Sequence, residues 1–328
     1  MQSADVAVIV PVFNRATTVI DTLSAVEIQS CAPRRVIVVD DGSTDNTYGA
    51  VKHWIGDRQR NYEIVVMQQP HLGAGAARNL GLDAIGDCRY LAFLDSDDRW
   101  PADFLDRAVT RLSDDSGAVA ATADRQYHRA WKRRIGFHST RGIERNATTW
   151  LLGNNCGIAS CTVFRSEVVR RLGGFDASIP TGQDVELFLR VSTQGSWLHV
   201  KGNPISFYMG YSAIRGEQPN LSLAYENRAR RRTRIRERFI YEQGGEKFVA
   251  AAKCERILAK HWHKAANSYR AHKQASQAIA CYKNALTYRP LRIPTWYHLI
   301  RVIGEQSARA AWARIQQGMV AGELALEQ

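Results

Sequence analysis

The sequence has no uninterrupted apolar stretch near the roughly 18 residues that a bilayer-spanning helix requires, so it offers no evident transmembrane segment. It also lacks a basic flank and a small-residue cleavage site around its first apolar run, residues 6–10, which follow almost directly on Met1, Gln2 and Ser3. A secretory signal is not expected, and the chain reads as cytoplasmic. Six cysteines, Cys31, Cys88, Cys156, Cys161, Cys254 and Cys281, stand at no disulfide-framework spacing, which suits a reducing compartment. Acidic residues are in short supply: 32 Asp and Glu against 44 Lys and Arg leave a formal charge of +12. That excess favours anionic partners such as nucleotides, phospholipid headgroups or nucleic acid. What is present suffices for a core, since 328 residues with 45% hydrophobic content accommodate one large domain and a smaller one.

Short β-branched runs at residues 6–10, 36–39, 64–67 and 90–94 alternate with amphipathic stretches at 16–29, 44–55 and 74–85. The alternation predicts βαβ units and a mainly parallel sheet with flanking helices, an α/β fold. Ligands of such sheets bind beyond the carboxyl ends of the strands. There the sequence turns polar: Pro11-Val12-Phe13-Asn14 after the first run, Asp40-Asp41-Gly42-Ser43 after the second, Asp95-Ser96-Asp97-Asp98 after the fourth. Further strands are expected near 158–164 and 204–208, and a helix over 184–193. Beyond about residue 220 helix formers dominate, punctuated by Pro290 and Pro294. The expected division is a first domain over 1–220 and a helical C-terminal region over 221–328. Residues 265–288 resemble one tetratricopeptide-type helical hairpin, but no second copy at a fixed period is evident, which argues against a repeat array.

The chemistry-bearing clusters each admit two readings. Asp95 and Asp97 can share a site past a strand, where hard oxygen ligands suit Mg²⁺ or Mn²⁺ on a diphosphate; alternatively they shape a turn, with Asp98 capping a helix at Trp100-Pro101. Asp41 can accept the imide N–H of a pyrimidine, or Gly42 can simply turn the chain while Ser43 or Thr44 caps the next helix. The segment Gly73-Ala74-Gly75-Ala76-Ala77-Arg78 is not a dinucleotide-binding loop, because Arg78 stands at the third glycine place, yet a helix N-terminus beside a guanidinium suits phosphate. Asp184 opens an amphipathic helix, as a cap or first-turn residue or as a general base for an incoming hydroxyl.

Taken in order, these pieces resemble the inverting glycosyltransferase family 2, whose fold is the GT-A type. The resemblance rests on Val8 to Asn14, Asp40 to Thr47, the Gly73 to Gly81 segment with Ala77-Arg78-Asn79-Leu80-Gly81, Phe93-Leu94-Asp95-Ser96-Asp97-Asp98 followed by Trp100, Gly173-Gly174-Phe175-Asp176, and Gln183-Asp184 ahead of Leu187. It covers residues 1 to about 210. It implies a nucleotide-sugar site formed by Pro11, Phe13, Asp41, Arg78, Asp95 and Asp97. Within it Asp41 would contact the base, Asp95 the ribose, and Asp97 a Mg²⁺ or Mn²⁺ ion on the diphosphate, with Asp184 as catalytic base. The implied reaction moves a sugar from a nucleotide donor, UDP by family habit, to a hydroxyl of a glycan or lipid-linked glycan acceptor in cell-surface polysaccharide synthesis. The chain departs from the family at Gln183, where Glu is frequent, and at Tyr208-Met209-Gly210-Tyr211, where relatives often carry Tyr-Arg-x-His. No histidine lies between His199 and His261, so a third protein ligand of that kind is missing. The competing reading is a non-catalytic scaffold with a degenerate GT-A site.

Seven arginines fall between residues 228 and 238. Their default is a solvated helix face; the functional alternative is contact with anionic lipid, and nucleic acid ranks last because no groove-reading motif accompanies them. Cys254, His261 and His263 do not read as a zinc site, because two histidines two residues apart on a helix point to different faces.

Overall fold

The structure, a computed structural model, describes residues 3–56, 59–130, 132–154, 158–210, 215–217 and 227–308. The chain divides into two compact units, residues 1–224 and 225–328.

In the first unit the opening apolar run is β1 (Ser3–Val12), whose Val6, Ala7, Val8, Ile9 and Val10 are all fully buried. Both faces of the strand are covered, which is why its pattern is continuous rather than alternating. β2 (Ala32–Asp40), β3 (Glu63–Gln68) and β4 (Tyr90–Phe93) follow, with α1 (Thr18–Glu27), α2 (Thr47–Ile55) and α3 (Ala74–Asp83) as the crossovers. β1 pairs in parallel with both β2 and β4, and β2 in parallel with β3. The carboxyl ends of β2, β1 and β4 therefore lie side by side on one sheet edge, and the three polar clusters follow them.

Past β4 the sheet becomes mixed. β5 (Asp98–Arg99), β6 (Ala118–Arg129), β7 (Lys132–His138), β8 (Thr162–Arg165) and β9 (Ser196–Met209) extend it, with α4 (Phe104–Asp114), α5 (Ala147–Gly153), α6 (Ser166–Arg171) and α7 (Gln183–Val191) packed around. Among the described residues the strand order is β3-β2-β1-β4-β8-β6-β9-β5, with β7 beside β6. β8 runs antiparallel to β4 and β6, whereas β6 and β9 are parallel. This is the expected α/β architecture of the GT-A type, followed by a helical region.

Local details differ from the sequence expectation for physical reasons. The strand expected near 158–164 is only Thr162–Arg165, because residues 159–161 tighten into a 3₁₀ turn that presents the Ser160 side chain to the end of β4. Asp98 caps no helix: it lies in β5, and α4 starts after Asp103. The strand near 204–208 is the far half of the long β9, which shifts register against β6 between Ala123 and Arg125.

The second unit contains α8 (Arg228–Glu242), α9 (Ala251–Ala271), α10 (Ala275–Tyr288) and a further helix over 293–308. Its core joins Trp262, Ala265, Ala266 and Tyr269 of α9 to Ala278, Tyr282 and Ala285 of α10 and to Leu299 and Val302. Glu237 on α8 accepts hydrogen bonds from Trp262 Nε1 at 2.6 Å and Tyr288 Oη at 2.7 Å, so one carboxylate ties three helices together. No described helix is long and apolar enough to cross a membrane.

His263 sits between α10 and the 293–308 helix, with Nδ1 3.0 Å from Thr295 Oγ1. Burial, then the charges of Arg292, His298 and Arg270, push its pKa from the ordinary 6.5 down to about 4. The unfolded chain therefore binds the proton first, so the stability held above pH 6.5 is lost as pH falls towards 4. The ring is only half buried and solvent screens it, so we expect the loss to be about 1–2 kcal/mol. Thermal melts of the parent and His263→Gln should diverge little at pH 7, and the parent should lose more than the variant on acidification to pH 4.5.

Candidate active site

The site begins at the end of β2. Gly42 takes a φ of +72°, and a Cβ there would come within 2.7 Å of the His71 backbone nitrogen, so only glycine lets residues 69–73 close over Asp41. Asp41 is buried and its carboxylate organises that loop. It accepts hydrogen bonds from Gln69 Nε2 at 2.6 Å, from the Leu72 amide at 2.9 Å and from the Gly73 amide at 2.9 Å. His71 Nδ1 lies 2.9 Å from Asp41 Oδ2, and its ring stacks on Phe13 with centroids 3.9 Å apart and planes 19° from parallel. Pro11 is buried in β1, in register with Val39 of β2. Phe13, Asp41 and the start of α3 thus form one wall. Asn14 adopts a positive φ of 51°, tolerated by asparagine, and its Oδ1 accepts the Thr44 amide at 2.8 Å, joining the β1 and β2 turns.

At the end of β4 three carboxylates meet different partners. Asp95 Oδ1 receives Arg78 Nη2 at 2.6 Å. Asp97 Oδ2 lies 3.7 Å from Arg15 Nη2. Asp98 is buried and accepts Ser160 Oγ–H at 2.6 Å, while the same Ser160 Oγ accepts the Asp95 amide at 3.1 Å. Burial, followed by the charges of Asp97 and Asp95, holds the Asp98 carboxyl well above the usual carboxylate range. Asp95 and Asp97 supply hard oxygen donors, and such a pair fits Mg²⁺ or Mn²⁺, which complete their shells with phosphate oxygens and water. Among the described residues there is no group of three His, Cys, Asp or Glu side chains suited to a metal.

Arg78 is the hinge between these elements. Its guanidinium also reaches Gln183 Oε1 at 3.3 Å and lies 5.2 Å from the centre of the Phe175 ring. Gln183 Nε2 donates to the Ile179 carbonyl at 2.6 Å, and a Cβ on Gly75 would come within 2.8 Å of that nitrogen. The chain Asp95–Arg78–Gln183 therefore fixes the start of α7 against α3 and the end of β4. Asp184, the next residue, stands half-buried in the first turn of α7, after Gly182 with its φ of +91°. Asn79 locks the neighbouring turn: its Nδ2 donates to the Phe175 carbonyl and its Oδ1 accepts the Phe175 amide, both at 2.8 Å.

The structure brings Asp95 and Arg78 into direct contact and keeps Asp97 beside Arg15, while Phe13 and Asp41 meet through His71. Sequence reasoning missed Arg15, His71, Gln69 and Ser160, and treated Gln183 only as a replaced glutamate. Arg15 and His71 each adjoin a recognised motif, which is the one signal they carry; Ser160 carries none. Trp131, Cys156 and Tyr211 lie outside the described residues. Of the arginine run, Arg232 and Arg236 are buried, and Arg234 pairs with Glu237 at 2.9 Å.

The sequence profile of Glycosyl transferase family 2 matches residues 7–173, just over half of the chain. The putative teichuronic acid biosynthesis glycosyltransferase TuaG of Bacillus subtilis is 36% identical over 117 residues, which cover 36% of this chain and 45% of TuaG. The alignments with the first three curated relatives span 31 to 45% of those proteins' lengths. Among solved structures, S. aureus TarS 1-349 in complex with UDP-GlcNAc superposes with a TM-score of 0.65 at 17% identity, over 88% of this chain and 81% of that one. The mannosyltransferase PcManGT from Pyrobaculum calidifontis, in complex with GDP-Man and Mn²⁺, gives 0.56 at 20% identity, over 95% of this chain and 88% of that one. At these identities the structural likeness concerns the fold.

Asn79→Ala removes both hydrogen bonds to Phe175 and leaves a backbone donor and acceptor without a partner. The expected cost is about 1–3 kcal/mol, read as a lower denaturant midpoint with the slope unchanged.

Proposed function

The chain belongs to glycosyltransferase family 2, and from that premise we propose that its first unit transfers a sugar, with inversion, from a nucleoside-diphosphate donor to a hydroxyl of a glycan acceptor. The observation that carries the reading is the Asp95–Arg78–Gln183 connection, which holds the acidic end of β4 and the Asp184 turn of α7 as one rigid constellation. UDP is the expected carrier, and a role in cell-surface polysaccharide synthesis draws support from the likeness to TuaG. The UDP-GlcNAc of TarS and the GDP-Man of PcManGT support nucleotide sugars as the donor class.

In the proposed site Pro11, Phe13 and Asp41 border the base. Asp95 takes the ribose, and Arg78, at the N-terminal end of α3, offsets diphosphate charge. Asp97, with Asp95 beside it, would hold Mg²⁺ or Mn²⁺, which supplies positive charge to the departing nucleoside diphosphate. The acceptor oxygen attacks the anomeric carbon from the face opposite the diphosphate. The C–O bond to the diphosphate breaks as the new C–O bond forms, and Asp184 accepts the hydroxyl proton. Arg230, Arg234 and Arg238 are exposed four residues apart on α8, a stripe suited to the anionic surface where a lipid-linked acceptor would lie.

Asp97→Ala tests the cation. Nucleoside diphosphate affinity should rise with added Mn²⁺ in the parent and lose that dependence in the variant, measured by calorimetry at low and high Mn²⁺. Equal, metal-independent binding by both proteins would refute the assignment.

Asp184→Asn tests the base, since the amide keeps the side chain's shape in the first turn but cannot take the proton. Transfer should fall by about 10²–10⁴-fold with nucleotide affinity and melting temperature near parental values. Near-parental transfer would remove Asp184 from catalysis. If the parent itself neither transfers nor hydrolyses a radiolabelled sugar nucleotide, the scaffold reading prevails.

A further inference from the structure

A cavity of about 650 Å³ opens at the amino-terminal end of β4, where α6 leaves β8, and Arg89, Arg165 and Arg170 line it. The candidate active site stands past the other end of the same strand. β4 and the two residues after it carry the chain roughly 15 Å from Tyr90 to Asp95, so the cavity is no part of the carboxyl edge.

The frame of the cavity is tied together. At the start of α6 the Ser166 amide donates to the Arg89 carbonyl at 3.1 Å, and the Ser166 hydroxyl donates to the Cys88 carbonyl at 2.5 Å. Arg165 pairs in register with Tyr90 across β8 and β4. Arg165 is only 7% exposed, and most of its guanidinium is committed inward. Its Nε donates to the Ala118 carbonyl at 2.6 Å, and Nη2 donates to the carbonyls of Leu112 and Asp115 at 2.7 and 2.9 Å. Nη1 has no hydrogen-bond partner among the described residues. A charged donor held in so confined a place needs an acceptor, because leaving it unmet costs free energy.

Two further guanidinia gather around it. The Arg89 and Arg165 guanidinium carbons lie 5.3 and 5.8 Å from the centre of the Tyr90 ring, so both cations share one aromatic side chain. Among the described residues the Arg89 guanidinium has neither a hydrogen bond nor an ion pair. Arg170 Nη2 donates to the Gly86 carbonyl, which leaves its other two nitrogens. Two carboxylates also line the cavity. Asp87 is engaged by Arg34 at 2.7 Å, so Glu167 stands as the uncommitted carboxylate against three guanidinia. Such a net positive recess favours an anion with several oxygens. A tetrahedral phosphate can take N–H groups from all three arginines, whereas a planar carboxylate is filled by one fork.

We propose that this recess binds a small phosphate-bearing ligand, inorganic phosphate or a phosphomonoester, at a second site separate from the donor diphosphate. Arg165 Nη1 supplies the buried donor, and Arg89 and Arg170 meet the remaining oxygens at the rim. Glu167 opposes binding through its charge. The inference is independent of the catalytic reading.

Calorimetric titration of the full chain with inorganic phosphate tests it, run with and without saturating UDP and with chloride at matched ionic strength as the control. One equivalent of phosphate should bind, and UDP should not abolish it. Arg89→Gln combined with Arg170→Gln, both exposed positions, should weaken binding by roughly tenfold or more at an unchanged melting temperature. Glu167→Gln should tighten it. Arg165→Gln should remove it, and if that variant fails to fold, the exposed pair decides the matter. Glycerol phosphate in a second titration separates the two sources, since the tighter ligand names the preferred one. Heat no greater than that of chloride, binding indifferent to the Arg89→Gln and Arg170→Gln pair, or loss of binding whenever UDP is present would overturn the proposal. So would association seen only as cosedimentation with phosphatidylglycerol vesicles, because a lipid surface would then be the partner.

Discussion

Three carboxylates stand within four residues past the end of β4, and offsetting their mutual repulsion is the constraint on which the first unit is organised. Two unit charges about 5 Å apart repel by about 3 kcal/mol at an effective dielectric near 20, which is comparable to a sizeable part of a domain's stability. The structure answers each carboxylate with a different element. Arg78 from α3 meets Asp95, Arg15 from the β1 turn approaches Asp97, and the 3₁₀ turn before β8 brings Ser160 to Asp98. Asp98 is also relieved by its own raised pKa, since a buried carboxyl between two others favours the neutral form. Four segments distant in sequence therefore converge on one strand end.

Convergence of that kind imposes conditions further out. A guanidinium as buried as that of Arg78 needs partners, and its two terminal nitrogens find Gln183 and Asp95 while its plane lies near the face of Phe175. Gln183 can reach it only because Gly75 has no side chain to hold α3 and α7 apart. Phe175 can lie beneath it only because Asn79 pins the Phe175 backbone. The motifs that look separate along the chain are thus mutually dependent parts of one contact network, and the first turn of α7 inherits its position from the charges at β4.

The same network explains what was legible beforehand. The parallel strands were legible because both faces of β1 and β2 are covered, which writes an unbroken apolar run, and because the polar clusters mark the strand ends. Asp41, Asp95 and Asp97 could be singled out because they cluster just after apolar runs, and Arg78 and Asp184 because they stand near helix starts within motifs that resemble the family's. Ser160 could not, since a serine 65 residues from Asp95 carries no local pattern. Nor could the wrapping of residues 69–73 around Asp41, which depends on a positive φ at Gly42 and on backbone amides that every sequence possesses. Asp98 was given a capping role on the strength of Trp100-Pro101; its burial in β5, paired with β9 and bonded to Ser160, is a tertiary outcome that outweighs local preference.

In the C-terminal unit the relation runs the other way, and the structure makes the sequence readable. Helical periodicity alone marks 293–308 as amphipathic without saying how many neighbours it has. Trp262 is sealed by Arg234 and Glu237 of α8 and by the core shared with α10, whereas Trp296 on the 293–308 helix is left half exposed. Fully burying a large apolar side chain contributes about 1.5–3 kcal/mol. Four such residues of that helix left in water, Ile293, Trp296, Ile300 and Ile303, thus forfeit an amount comparable to the whole stability of a small domain. The arginine run shows the converse: buried Arg232 and Arg236 on α8 belong to the packing of this unit, so a charge count along the sequence overstates the basic surface that remains for any anionic partner.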